Sequence, residues 1–160
     1  MAWTTPGTAT AGEVLTAAFW NTNVRDNLNA LPRGIVAKVS QTSDFTLAVA
    51  QADVTGATVT WTAESNRIYL IQAYGYSTKT TNVGTIAVSI TDSSNNPKQD
   101  STTTVAAVTG FLFFTASVYE TGLSGSITRK LRAACSTTGG TLNAGAAYPR
   151  QLIVIDMGLA

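Results

Sequence analysis

The side chains that could perform acid–base or metal chemistry are few in this sequence of 160 residues. It contains no histidine, which removes the commonest general base, the commonest metal ligand and every Ser–His or Cys–His nucleophile pair. Its single cysteine, Cys135, can form neither an intramolecular disulfide nor a multi-cysteine zinc site, and we expect it to be a small buried hydrophobic residue. The sequence thus predicts no catalytic, cofactor or metal site.

The carboxylates lie mostly near predicted turns or strand ends, and no spacing identifies two of them as an acid–base pair. A glycosidase is therefore only a distant alternative, because a folded sheet could still bring distant carboxylates together. The stretch from Asp92 to Pro97 lacks the ordered spacing and the later glutamate of a calcium loop, so we interpret it as a hairpin turn. We expect a protein that is not an enzyme. The carboxylates are Glu13, Asp26, Asp44, Asp53, Glu64, Asp92, Asp100, Glu120 and Asp156.

The nearly neutral charge of the chain argues against partners that are bound mainly by electrostatic attraction. Ten Lys and Arg residues against nine Asp and Glu leave a net charge of +1, too little to hold nucleic acid or an anionic membrane. No apolar run approaches the roughly 20 residues that span a membrane, and the N-terminus lacks the order of a signal peptide. The basic residues Arg129, Lys130 and Arg132 alternate along a predicted strand, so we expect Arg129 on one face and the other two opposite.

Aromatic side chains are the best candidates for a binding role. Tyr119 and Tyr148 lie near predicted loops, and we take them as candidate receptor or tip-loop residues. Most of the others lie in strongly apolar segments, where packing in a core is preferred over a sugar-binding face. These others are Trp61, Tyr69, Tyr74, Tyr76, Phe111, Phe113 and Phe114.

The N-terminal part, residues 1–32, is predicted to be an extended arm followed by one α-helix. Thr16 is a typical N-cap, and the residues from Ala17 to Leu31 have helical periodicity. Pro32 ends the helix because the residue before a proline resists the α conformation. The candidate assembly residues are Trp3 in the arm, the apolar stripe Trp20, Val24, Leu28 and Leu31 on the helix, and the adjacent charged pair Arg25 and Asp26.

One amphipathic helix of this length is not stable alone in water, so its stripe must pack on something. An anchor that attaches the protein to neighbouring subunits or to another protein is one interpretation. A helix that caps the open end of its own β-domain is the other.

From Ile35 onward the apolar residues recur with a period of two, which predicts a second domain over residues 33–160. Short strands separated by turn signals favour a mainly β fold, an antiparallel β-sandwich of jelly-roll type. The segment Arg67 to Tyr76 is the most hydrophobic and is predicted to be the central strand. The chain has 27 threonines and only 12% charged residues. That composition fits either an extracellular β-domain or a subunit whose surface packs against copies of itself.

Two segments carry a resemblance to a known group. Leu15 to Leu31 (LTAAFWNTNVRDNLNAL) resembles the N-terminal motif of many bacteriophage virion proteins, in which a threonine-capped helix carries a pattern that matches Asn21, Thr22, Val24, Arg25, Asp26, Asn27 and Leu31 here. The C-terminal segment Gln151 to Gly158 (QLIVIDMG) is similar to the ending of that group, with Met157 and Leu159 as departures. Arg25 and Asp26 are adjacent and cannot face each other across the helix, so we expect each to have a different partner.

The resemblance implies a bacteriophage virion structural protein, either a capsid decoration or head fibre or a minor tail protein. Such proteins are commonly homotrimers that bind other virion proteins and reach the virion after assembly in the host cytoplasm. The alternative is a tail module that binds a host receptor or glycan at the cell surface.

Overall fold

The computed structural model describes Gly7 and residues 16–79, 84–105 and 108–160. Within them the chain forms one helical segment and ten β-strands, paired antiparallel throughout. The predicted mainly β fold is confirmed. The strands are β1 (Gly34–Gln41), β2 (Phe45–Thr46), β3 (Ala52–Ala63), β4 (Arg67–Lys79), β5 (Gly84–Thr91), β6 (Pro97–Val105), β7 (Val108–Glu120), β8 (Gly125–Cys135), β9 (Gly140–Asn143) and β10 (Arg150–Leu159).

The helical segment, α1, begins with an α-helical turn (Ala17–Trp20), continues as a π-helix (Asn21–Arg25) and ends with an α-helical turn (Asp26–Ala30). The hydroxyl of Thr16 accepts a hydrogen bond from the Phe19 amide at 3.2 Å, which confirms the predicted cap. Leu31 is extended, with ψ of 152°, so the helix ends one residue earlier than predicted. The cause is Pro32, which disfavours the α conformation at the residue before it.

Two sheets form the sandwich. The first, sheet A, has the order β1-β10-β4-β9-β2, with β7 on the other side of β4. The second, sheet B, has the order β3-β8-β5-β6. Strand β4 pairs with β10, β9 and β7, so the predicted central strand is confirmed. The chain crosses repeatedly from one sheet to the other, as in a jelly roll.

The core lies between the two sheets and consists mainly of aliphatic side chains. Ile86, Val88 and Ile90 of β5 point inward, and Cys135 is fully buried among them, as predicted for this cysteine. Of the seven aromatic residues for which packing in a core was preferred, Trp61, Tyr69 and Phe114 belong to this core. The ring centroids of Trp61 and Tyr69 lie 5.7 Å apart.

Three local features depart from what the sequence pattern predicts. Alternation predicts Ile35 on one face with Ala37 and Val39, but the register of β1 shifts between Ile35 and Ala37 and leaves Ile35 58% exposed. The stretch from Phe45 to Val49 alternates like a longer strand, but only Phe45 and Thr46 form β2. Thr55-Gly56 has the composition of a turn, but it is a break in the register of β3, where Gly56 has a φ of +73°.

Candidate functional site

The C-terminal end of helix α1, which we call its base, is held on the sandwich by a buried ion pair. Arg67, the first residue of β4, is fully buried and forms a salt bridge with Asp156 of β10, which is 1% exposed. The remaining guanidinium nitrogens donate hydrogen bonds to the carbonyl oxygens of Asn29 and Leu31, both at 2.7 Å. Arg67 therefore satisfies carbonyl groups that the end of a helix leaves without partners.

The C-terminal strand is shaped to receive the helix end. Asp156 also accepts a hydrogen bond from the Gly158 amide at 2.9 Å. Gly158 has a φ of +105°, and a Cβ at this position would lie 2.9 Å from the carbonyl oxygen of Ala30. A side chain at residue 158 would therefore be strained and would collide with the helix. The two segments that carry the resemblance, α1 and the end of β10, thus meet at one junction.

The apolar stripe of helix α1 stays largely exposed. Trp20 is 55% exposed, Leu28 62% and Leu31 44%, whereas Val24 is half-buried. The C-terminal end of the helix contacts its own sandwich, while Trp20, Leu28 and Leu31 stay exposed, so attachment through these side chains stays a prediction. Trp3 lies outside the described residues, as does the predicted arm apart from Gly7, which donates a hydrogen bond to the Asn23 side chain.

The expectation for Arg25 and Asp26 is wrong. Their side chains form an ion pair with each other, with Arg25 Nη2 and Asp26 Oδ1 2.8 Å apart. The long arginine side chain folds back over its neighbour, which a comparison of Cβ directions alone does not anticipate. Arg25 is 58% exposed at its side chain, so this pair contributes little to stability.

A small cleft opens between the helix and the sandwich, with a volume of about 180 Å³. Its opposite charges pair with each other, because Arg33 forms a salt bridge with Glu64 and Arg67 with Asp156. The cleft therefore presents no unpaired ion to a ligand among these four residues. It is lined by Asp26, Asn29, Arg33, Glu64, Asn66, Arg67 and Leu159.

A second feature, which we call the aromatic cluster, lies on the outer face of sheet A. Its rings contact one another in tilted or T-shaped arrangements, with five pairs of centroids between 5.5 and 6.4 Å apart. Phe111 is 57% exposed, Phe113 55% and Tyr148 42%. An open cleft of about 270 Å³ lies within the cluster and is lined by Tyr76, Phe111 and Tyr148. Its members are Tyr74, Tyr76, Phe111, Phe113 and Tyr148.

Strand register places polar side chains next to the aromatic cluster. Residues that are directly opposed in antiparallel strands share a face of the sheet. Tyr76 is opposed to Phe113, and the row beside it contains Ser40, Gln151, Tyr74 and Thr115. The following row contains Lys38, Ile153, Gln72 and Ser117. Hydroxyl and amide groups therefore lie along the sheet directly beyond the rings, and the Tyr74 hydroxyl donates to Gln151 Oε1 at 2.7 Å.

The two candidate tip-loop tyrosines lie far apart. Tyr119 is 65% exposed at the C-terminal end of β7, whereas Tyr148 belongs to the aromatic cluster. Tyr119 is six residues along β7 from Phe113, which corresponds to about 20 Å in an extended strand. The sequence predicted the exposure of both residues but not the cluster, because core packing was expected for Tyr74, Tyr76, Phe111 and Phe113, which lie on the outer face.

The described carboxylates face cations and amide groups, which suits structural roles and not proton transfer. The basic residues are divided between faces as predicted: Arg129 pairs with Glu120, and Lys130 and Arg132 both pair with Asp53. Hydrogen bonding to Lys130 lowers the pKa of Asp53, and hydrogen bonding to Arg33 lowers the pKa of Glu64. A general acid at neutral pH needs a raised pKa, which is the opposite of this arrangement.

The Asp92 loop is a hairpin turn, as predicted. Asp92 Oδ1 accepts hydrogen bonds from the amides of Ser94 and Asn96, both at 2.9 Å, and Oδ2 lies 3.3 Å from Lys98 Nζ. These interactions with Asn96, Lys98 and Ser94 hold the pKa of Asp92 at about 2. Over the described part of the chain, no three Cys, Asp or Glu residues gather as metal ligands, and no helix is long and apolar enough to cross a membrane.

The chain matches no family model and no curated protein. Among solved structures it is similar to a carbohydrate-binding module from a Cellvibrio mixtus lichenase in complex with cellotriose, with 16% identity, 77% of this chain and 89% of that chain covered, and a TM-score of 0.38. It is also similar to the tripod from the baseplate of bacteriophage Tuc2009, with 17% identity, 97% and 99% covered, and a TM-score of 0.43. These similarities concern the β-sandwich fold.

Proposed function

We propose that this protein is a non-enzymatic bacteriophage virion structural protein, a homotrimeric surface component of the capsid decoration, head fibre or minor tail type. Its N-terminal arm and helix α1 attach it to other virion proteins, and it enters the virion after assembly in the host cytoplasm. The observation that carries the proposal is the helix, which is clamped to the sandwich at its base while Trp20, Leu28 and Leu31 stay exposed.

Exposed apolar side chains on a fixed helix favour association. Burial of one large apolar side chain stabilises by about 1.5–3 kcal/mol, so three such side chains on one helix supply several kcal/mol to a contact. Because Arg67 already holds the helix end, little conformational freedom remains to be lost when a partner binds. A helix that is already held at one end therefore loses less entropy on binding than a free helix, which makes it a better anchor.

The junction between α1 and β10 supports the virion assignment. The N-terminal and C-terminal motifs that resemble bacteriophage virion proteins are far apart in the sequence, yet Asp156 and Gly158 of one motif contact the helix end of the other through Arg67 and Ala30. A single structural unit thus explains both motifs at once.

The test is a comparison of two exposed apolar residues. Leu28→Asp places a charge on the anchoring stripe, and we expect loss of the protein from assembled particles with the free energy of unfolding changed by less than about 0.5 kcal/mol. Val49→Asp is the matched control, because Val49 is 59% exposed but lies outside the helix. Incorporation is measured by quantitative immunoblotting of purified particles and stability by urea unfolding. Equal incorporation of both variants would contradict the anchor.

A host-surface recognition module is the second candidate function. It is favoured by the aromatic cluster, which lies at the end of the sandwich away from the helix base. Tyr76 is nine residues beyond Arg67 on β4, about 30 Å along an extended strand. Attachment at one end would therefore leave the other end facing outward. The expected result is that the purified protein binds host cells and blocks infection.

A further inference from the structure

We propose that the cleft between Tyr76, Phe111 and Tyr148 binds one neutral pyranose ring of a host-surface glycan. The inference rests on the second candidate function and assigns it a site and a ligand class. It is carried by the shape of the cleft, the rigidity of its rings, its lack of charge and the polar side chains beside it.

The rings are held in place before a ligand arrives. Tyr76 contacts Phe111, Phe113 and Tyr148, all with their rings nearly perpendicular to its own. Tyr148 closes a tight turn in which its amide donates to the Gly145 carbonyl at 3.2 Å. A Cβ on Gly145 would lie 3.2 Å from the Tyr148 ring, so the turn backbone packs directly against it. Such preorganisation reduces the entropy lost on binding.

The cleft has the size of a small ligand. Its volume of about 270 Å³ falls just below the range of about 300–1,000 Å³ that is typical of drug-sized ligand pockets. One sugar ring fits such a space. The C–H groups on the face of a pyranose ring pack against the electron-rich face of an aromatic ring, while its hydroxyl groups remain at the rim.

The absence of charged side chains in the lining of the cleft favours neutral sugars over acidic ones. The cleft is lined by Tyr76, Phe111 and Tyr148, without a Lys, Arg, Asp or Glu, and the two rows beyond them contain a single charged residue, Lys38, on the outer strand β1. Acidic sugars are bound by arginine or lysine side chains that face the carboxylate. Uncharged rings followed by hydroxyl and amide groups match the hydroxyl groups of a neutral sugar.

The same polar rows argue against a second copy of the chain as the occupant. A self-interface over the outer face of sheet A would bury Gln72, Gln151 and Ser117 together with the aromatic cluster. Burial of amide and hydroxyl groups without hydrogen-bond partners costs free energy. A glycan that extends along the sheet supplies those partners with its own hydroxyl groups.

The experiment uses saturation-transfer difference NMR on the full chain with methyl β-D-glucopyranoside, methyl β-D-galactopyranoside, methyl α-L-rhamnopyranoside and, as the acidic probe, N-acetylneuraminic acid. We expect binding of at least one neutral glycoside, with the strongest signals from the C–H protons of one ring face. Phe111→Ala should weaken that binding at least tenfold. Ile35→Ala is the control, because Ile35 is also 58% exposed on sheet A but lies in the row of Ile155 and Leu70, six residues along β4 from Tyr76, and it should leave binding unchanged.

Three results would overturn the assignment: no neutral glycoside binds, the acidic sugar binds as tightly, or Phe111→Ala binds like the unaltered protein. Loss of oligomers in Phe111→Ala without any sugar binding would identify the cluster as a self-interface instead. The functions themselves are tested separately. If Phe111→Ala protein still binds host cells, the site is wrong while recognition stands, and incorporation into particles depends on Leu28 in either case.

Discussion

Arg67 is the residue on which the position of helix α1 depends. Its guanidinium is removed from water and compensated by one carboxylate and two carbonyl oxygens. Removal of one partner of a buried ion pair leaves the other charge buried without compensation, which is far costlier than the pair itself is stabilising. This role could not be predicted from the sequence, because a basic residue at the start of a strand is usually exposed.

Arg67→Met should therefore lower the free energy of unfolding by about 3–5 kcal/mol, because Asp156 would remain buried without its counterion. Urea unfolding followed by fluorescence measures the change. Arg33→Met is the matched control: Arg33 pairs with Glu64, but both side chains are 46% exposed, so at most about 1 kcal/mol is expected. Equal losses in the two variants would show that the Arg67 pair does not hold the fold.

Asp92 is a single residue at which the loss of stability at low pH can be tested. Its carboxylate is stabilised by hydrogen bonds from Asn96 and Ser94 and by Lys98, so its pKa in the folded protein is about 2 against an ordinary value of 3.8. The folded-state pKa is the lower one, so this contribution is present above about pH 4 and is lost as the pH falls toward 2. Carboxyl NMR titration should show a midpoint near pH 2, which rises toward the ordinary value in Asn96→Ala. An unchanged midpoint in that variant would contradict the hydrogen-bond assignment.

At the scale of single elements, periodicity predicted which residues alternate along a strand, but not which face of the strand lies in the core. Alternation correctly grouped Leu70, Tyr74 and Tyr76 on one face of β4, but the opposite face, with Tyr69 and Ile71, is equally apolar. Pattern alone therefore cannot decide which face is the core. The Thr16 cap could be predicted because its hydrogen bond is local, whereas the ring contacts around Tyr148 join residues distant in the sequence.

The division into residues 1–32 and 33–160 remains a prediction, and the core suggests how it will behave. Among the residues that the structure describes, the buried hydrophobic core begins at Leu47 and includes no residue of helix α1. A chain that starts at Arg33 should therefore unfold cooperatively, with a lower midpoint because the carbonyl partners of Arg67 are lost. Differential scanning calorimetry of residues 33–160 beside the full chain measures this. Loss of a cooperative transition would show that the helix is part of the folding unit.

At the scale of the whole molecule, the two outer faces of the sandwich differ in character. The outer face of sheet A combines the aromatic cluster with polar rows, whereas that of sheet B is rich in threonine. Thr58, Thr60 and Thr62 of β3 are exposed, and Thr60 bonds to Thr128 of β8, with their hydroxyl oxygens 3.0 Å apart. Short, stiff side chains lose little entropy when a neighbour covers them, so this second face suits packing between copies of the chain.

We expect a homotrimer in solution. Cyclic symmetry lets one set of complementary surfaces satisfy every subunit, and the choice of three follows from the resemblance to bacteriophage fibre and decoration proteins. Multi-angle light scattering at micromolar concentration should then give three times the chain mass of 16.7 kDa. A mass of one chain would contradict the prediction.

The position of the trimer axis can be determined with two variants. Thr60→Arg places a long cation on the threonine face of sheet B and should reduce the mass if that face lies between subunits, since burial of an unpaired charge is strongly unfavourable. Leu28→Asp should reduce it only if the exposed helix stripes meet around the axis. A trimer that survives Leu28→Asp but fails to enter particles would assign the helix to the virion surface and the sandwich to the subunit contacts. A trimer that survives Thr60→Arg would exclude the threonine face, because an interface there could not accept three buried cations.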